Sequence, residues 1–99
     1  MLARKPQIIY FINQKLFTYY KPDTNIKFSL NNSEDVSIKV YNILGKELKL
    51  LLNKNISTEE YIIQWDGKDN EGNNLSGGVY FIQMIAGSYH KTIKTILLK

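Results

Sequence analysis

Apolar residues alternate with polar ones over short runs, clusters of Asn, Asp, Ser and Gly separate those runs, and no stretch sustains a convincing helical period. These three observations predict an all-β chain: an immunoglobulin-like β-sandwich of about six to seven antiparallel strands, its two sheets packed face to face. The most telling stretch runs Trp65-Asp66-Gly67-Lys68-Asp69-Asn70-Glu71-Gly72-Asn73-Asn74-Leu75-Ser76-Gly77-Gly78-Val79-Tyr80-Phe81. Trp65 ends one alternating run, a long polar turn comes next, and a new apolar run opens at Val79. Such spacing is that of a connection between strands.

Taken in order, residues 1–21 read as a leader or linker, or as a loosely attached seventh strand, and residues 22–99 as the folded domain. Ile26, Phe28 and Leu30 alternate with Lys27 and Ser29, the period of two of a half-buried strand, and Asn31-Asn32-Ser33 turns the chain. Val36, Ile38 and Val40 form a second strand, closed by Asn42-Ile43-Leu44-Gly45-Lys46, where Gly45 is free to take positive φ. A third run, Glu47 to Asn53, fits either a strand or a helical stretch up to Lys54, and the strands on either side favour β. Ser57-Thr58-Glu59-Glu60 mimics a helix capping box, yet Tyr61 to Trp65 is β-branched and aromatic, with Tyr61, Ile63 and Trp65 on one face. Val79 to Ala86 and Tyr89 to Leu98 complete the set, joined at Gly87-Ser88. The predicted core is Ile26, Phe28, Val36, Ile38, Val40, Leu48, Leu50, Ile63, Trp65, Tyr80, Ile82 and Met84.

A chain of 99 residues suits one domain, and its 43% hydrophobic and 22% charged residues argue against disorder from end to end. The net charge of +4 suggests nucleic acid until it is located: Arg4, Lys5, Lys15 and Lys21 carry it, while nine lysines balance nine acids from residue 23 onward. A neutral domain does not supply the basic face that nucleic acid requires. Cysteine is absent, which excludes disulfides, thiolate metal sites and cysteine nucleophiles. The apolar run Ile8 to Ile12 is shorter than the roughly 7–15 residues of a signal-peptide core, so the sequence shows no recognisable export signal.

The ordered set Asn25-Ile26-Lys27-Phe28-Ser29-Leu30, Val40-Tyr41-Asn42-Ile43-Leu44-Gly45, Trp65-Asp66-Gly67 through Gly78-Val79-Tyr80-Phe81, and Lys94-Thr95-Ile96-Leu97-Leu98-Lys99 resembles a known module. It is similar to the C-terminal sorting domain (Por secretion type A) of proteins exported by the bacterial type IX secretion system. It also resembles the immunoglobulin-like domain of the flagellar hook-capping protein, which shares the Trp-Asp-Gly turn. The resemblance covers residues 22–99 and implies a non-catalytic signal, recognised by outer-membrane secretion machinery, that directs a cargo protein through the periplasm to the cell surface. It implies no cofactor, no small-molecule substrate and no nucleic acid. On this reading Trp65, Asp66, Gly67, Asp69, Gly72, Gly78 and Tyr80 are the fold signature. Recognition is expected on the last strand, at Lys91, Lys94, Leu97, Leu98 and Lys99, because a terminal edge strand can be presented to a receptor. The family's Tyr-Pro-Asn-Pro-Phe-Asn-Pro segment is degenerate here: the stretch from Phe17 keeps only the last proline, Pro22, and the Asp23-Thr24-Asn25 after it. Lacking both cargo and signal, the chain is expected to be the tail of a broken or split longer gene. The alternatives are a structural assembly module like the hook-capping domain, which would self-associate, and a carbohydrate-binding sandwich, which would need exposed aromatics on one face.

Sharper chemistry fails on spacing. Asp66, Asp69, Glu71 and Asn73 suggest a calcium loop, but placing Gly72 at the sixth position puts Gly67 first and Gly78 twelfth, where ligands are required. Turn residues bonding their own backbone, with Asp66 capping, account for them better. His90 is the single histidine and reads as a solvent-facing strand residue; Glu59 and Glu60 point to opposite faces of an extended chain. Tyr41 and Tyr89 are the aromatics expected to be most exposed, and Trp65 is expected in the core.

Overall fold

Alternation governs the strands of the computed structural model, which describes residues 8–13, 16–17, 24–30, 33–57 and 60–98. Among these residues lie eight strands: β1 (Ile8–Asn13), β2 (Leu16–Phe17), β3 (Thr24–Leu30), β4 (Glu34–Tyr41), β5 (Glu47–Ile56), β6 (Glu60–Trp65), β7 (Gly78–Ala86) and β8 (Tyr89–Leu97). They form a three-stranded sheet in the order β1-β3-β6 and a five-stranded sheet in the order β2-β8-β7-β4-β5. All pairings are antiparallel except that of β2 with β8, where Leu16 and Phe17 run parallel to Ile96 and Leu97. The expected all-β sandwich is what forms, and residues 47–54 are strand rather than helix. Within the segment read as leader or loose strand, β1 pairs with β3 and β2 with β8, so that stretch contributes to both sheets.

Along β4 and β7 every second residue is buried, so Val36, Ile38 and Val40 meet Ala86, Met84 and Ile82 across the ladder and share one inner face. Ile26, Phe28, Leu30, Trp65, Ile56, Tyr80 and Leu97 close the core, with Thr95 the polar residue buried among them. Phe28 and Tyr61, opposite each other on β3 and β6, pack edge to face with centroids 5.8 Å apart. Leu48 and Ile63, expected in the core, are half-buried against it.

Leu50 departs from expectation: it is 39% exposed. Two register shifts in the β4–β5 ladder explain this. Ile38 pairs with Leu52 but Lys39 with Leu50, leaving Leu51 as an extra residue; Val40 pairs with Lys49 but Tyr41 with Glu47, leaving Leu48 extra. Each bulge resets the period of two, so Leu50 faces outward opposite Lys39 while Leu48, Leu51 and Leu52 pack inward. Tyr41 and Tyr89 are also less exposed than expected. Both are half-buried, Tyr89 against the core and Tyr41 with its hydroxyl 3.4 Å from Gln83 Oε1.

Candidate functional site

The connection from β6 to β7 is knotted around Trp65. Its ring is fully buried against Tyr80, edge to face at 5.4 Å, and its indole Nε1–H donates to the Lys68 carbonyl at 2.9 Å. The indole therefore fastens the start of the loop to the core. Tyr80, two residues into β7, sends its hydroxyl back to the Ser76 carbonyl at 2.5 Å and fastens the end of the same loop.

Between these anchors the polar residues bond backbone. Asp66 Oδ1 accepts from the Lys68 amide at 3.1 Å, an Asx turn. Buried Gly67 accepts the Leu75 amide, and Lys68 and Asn74 form an isolated antiparallel bridge that narrows the loop to a small hairpin. Asp69 Oδ1 accepts the amides of Glu71 and Asn73, each at 2.9 Å, while Oδ2 accepts Asn73 Nδ2 at 3.3 Å. The Asn73 amide foremost, then its side chain, the Glu71 amide and the Lys49 charge hold the Asp69 carboxyl below its ordinary pKa, against some desolvation. Gly72 turns the chain at φ +84°, where a side chain would be strained even in open space. Gly78 opens β7 opposite Leu97.

Asn70 couples this loop to β5. Its amide donates to the Leu48 carbonyl, and its side-chain Oδ1 accepts the Leu50 amide, both at 3.0 Å. One asparagine thus bonds the backbone of an edge strand at the bulged Leu48 and at Leu50, between the two bulges, a role that no local pattern announced. The carboxylates of Asp66 and Asp69 are engaged with amides, and no group of three or more His, Cys, Asp or Glu side chains among the described residues could hold a metal ion.

The last strand is arranged differently. Lys91 is exposed opposite Met84, and Lys94 is exposed on the outer face opposite Phe81. Leu97 is buried and serves the core, Leu98 is 41% exposed just beyond β8, and Lys99 lies outside the described residues. β2 pairs with β8 at Ile96 and Leu97, and among the described residues no strand pairs with Tyr89 to Lys94 on that side of β8. His90 is exposed on the outer face, as its place in the strand suggested. Among the described side chains no aromatic is exposed.

A family model of the FlgD Ig-like domain matches residues 18–89, which includes the whole Trp65–Tyr80 knot. The chain belongs to the FlgD Ig-like domain family. The kinship expected from the Trp-Asp-Gly turn therefore stands at the level of this immunoglobulin-like module. No curated protein matches the sequence. Among solved structures, the fold is similar to latent PorU of Porphyromonas gingivalis, crystallised as a dimer, at TM-score 0.68 and 15% identity over 97% of this chain. PorZ of Porphyromonas gingivalis, an essential surface component of the type IX secretion system, matches at TM-score 0.60 and 19% identity over 90% of the chain. AlkC of Pseudomonas fluorescens, an alkylpurine DNA glycosylase seen bound to DNA with an abasic-site analogue, matches at 0.57 and 9% over 95%. The chain spans 10%, 11% and 30% of these three proteins, so what it shares with them is one immunoglobulin-like module.

Proposed function

We propose that this FlgD-like immunoglobulin module is a non-catalytic C-terminal sorting domain that directs type IX secretion and surface attachment of a cargo protein, with outer-membrane secretion machinery as its partner. The observation that carries the reading is the ordered set of motifs, each now a defined part of the sandwich. Asn25–Leu30 lies in β3, Val40–Gly45 is the end of β4 and its turn, Trp65–Phe81 is the knot, and Lys94–Leu97 ends β8 with Leu98 just beyond it. The likeness of the module to part of a type IX surface component supports it further. Residues 1–21 contribute β1 and β2, so we assign them to the working unit along with residues 22–99.

The test is a reporter carrying a signal peptide at one end and residues 1–99 at the other, expressed in a bacterium with the type IX machinery. The reporter is expected outside the cell. Lys91→Glu with Lys94→Glu, at two exposed positions of β8, is expected to leave the fold intact and to reduce export. Reporter held in the periplasm by the intact domain contradicts the sorting function; full export by the double variant contradicts the role of β8.

Family membership favours a second reading, a structural assembly module. It predicts self-association of the purified chain in sedimentation experiments, whereas the sorting reading predicts a monomer. The carbohydrate-binding alternative loses support, since the described aromatic side chains are all buried or half-buried.

A further inference from the structure

One half of β5 is covered by bulges and a side chain, and the other is guarded by charge alone. Over Leu48 to Leu51 two bulges break the ladder, and Asn70 occupies the backbone of Leu48 and Leu50. From Leu52 to Ile56 the register is regular, and β5 is the outermost strand of its sheet. β6 is outermost in the opposite sheet. Between these two edges lies an open cleft of about 260 Å³ lined by Leu52, Lys54, Ile56, Tyr61, Ile62 and Ile63. Ile62 is 59% exposed. Outermost strands present unused amide and carbonyl groups that template a further strand, and proteins blunt them with bulges, loops or charge. Here the bulges and the covering asparagine stop at Leu51.

The charge of the open half selects what could bind. Leu52 and Lys54 pair with Ile38 and Val36, and Ile56 comes next at the same spacing, so these three side chains share one face. That face reads apolar, cationic, apolar at alternate positions, and no carboxylate of a described side chain pairs with Lys54. A second copy of this chain is a poor occupant. Antiparallel pairing of two such edges about their centre sets the Lys54 side chains opposite or diagonal to each other, where like charges repel.

We propose that the Leu52–Ile56 edge of β5, with β6 across the cleft, is a strand-docking site for an extended segment of a partner protein carrying an acidic residue flanked by apolar ones at alternate positions. The segment bonds the β5 backbone, its apolar side chains fill the cleft beside Leu52 and Ile56, and its carboxylate meets Lys54. The site is on the edge of the five-stranded sheet opposite to β8, so it stands apart from the recognition strand of the sorting reading.

The test uses the full chain and a fluorescein-labelled synthetic peptide with Val, Glu and Val at alternate positions between threonines. Anisotropy titration is expected to show saturable binding that weakens about tenfold or more in Lys54→Glu. A second peptide with Lys in place of Glu is expected to prefer Lys54→Glu over the unaltered chain, a reversal that damage to the fold would not produce. Equal binding of both peptides to both proteins, or no saturable binding up to about 1 mM, overturns the proposal. So does concentration-dependent dimerisation that Lys54→Glu abolishes, which would make a second copy the occupant.

Discussion

Trp65 does two jobs at once, filling the core with its ring and tying the Lys68 carbonyl with its indole N–H. The two can be separated by substitution. Trp65→Ala is expected to destabilise the domain by about 3–5 kcal/mol, the range for emptying an aromatic site. Trp65→Phe keeps most of the packing but strands a carbonyl, and about 1–2 kcal/mol is expected; urea unfolding of the three proteins checks both values. Asp69 gives a pH-dependent companion. Because its folded-state pKa lies below the ordinary value of about 3.9, its contribution to stability is fully present above that value. The contribution is lost as pH falls through the lower folded value. A carbon-detected NMR titration is expected to place the Asp69 midpoint below the ordinary value, with the Glu71 and Asn73 amides losing exchange protection as it is crossed; a midpoint at or above it contradicts the assignment. Trp65, Asp66 and Gly67 were legible in the sequence because their chemistry is local, a strand end running into an Asx turn. Asn70 was not: its partners, Leu48 and Leu50, lie about twenty residues away, and nothing in an Asn-rich turn marks which asparagine reaches another strand.

Strands that obey a strict period of two could be read directly, and β4 and β7 bury the residues expected of them. β5 could not. Its run of leucines admits two inward sets, and the choice is made by bulges, which depend on pairing with β4 and leave no mark on composition. β2 is similarly silent, since two residues paired in parallel carry no period to detect. The geometry at β5 separates neighbouring substitutions. Leu50→Ser, on the exposed side of the bulge, is expected to change stability by about 0.5 kcal/mol or less. Ile38→Ala, fully buried on the adjacent strand β4, is expected to cost about 2–5 kcal/mol. Asn70→Ala should speed hydrogen exchange at the Leu50 amide while leaving the Ile82 amide on central β7 unchanged. Equal protection at Leu50 in both proteins would mean that Asn70 does not hold the edge.

At the scale of the whole molecule, the sandwich keeps its polar connections for structure, and among the described residues the Leu52–Ile56 half of β5 lies at an edge of the five-stranded sheet, on the side away from β8. Asp66 and Asp69 in its long loop hold backbone amides, a structural use of carboxylates that agrees with the proposed reading as a recognised module. Family membership as an immunoglobulin-like domain agrees with the knot and the strand order, while the proposed sorting role rests on the resemblance of the ordered motifs to those of an export signal. The most direct measurement of that role is the location of a signal-peptide–reporter–residues 1–99 fusion in two otherwise identical strains, one with a working type IX system and one with that system disabled. Reporter at the surface or in the medium of the first strain and confined to the periplasm of the second is the predicted result. The same distribution in both strains would contradict it.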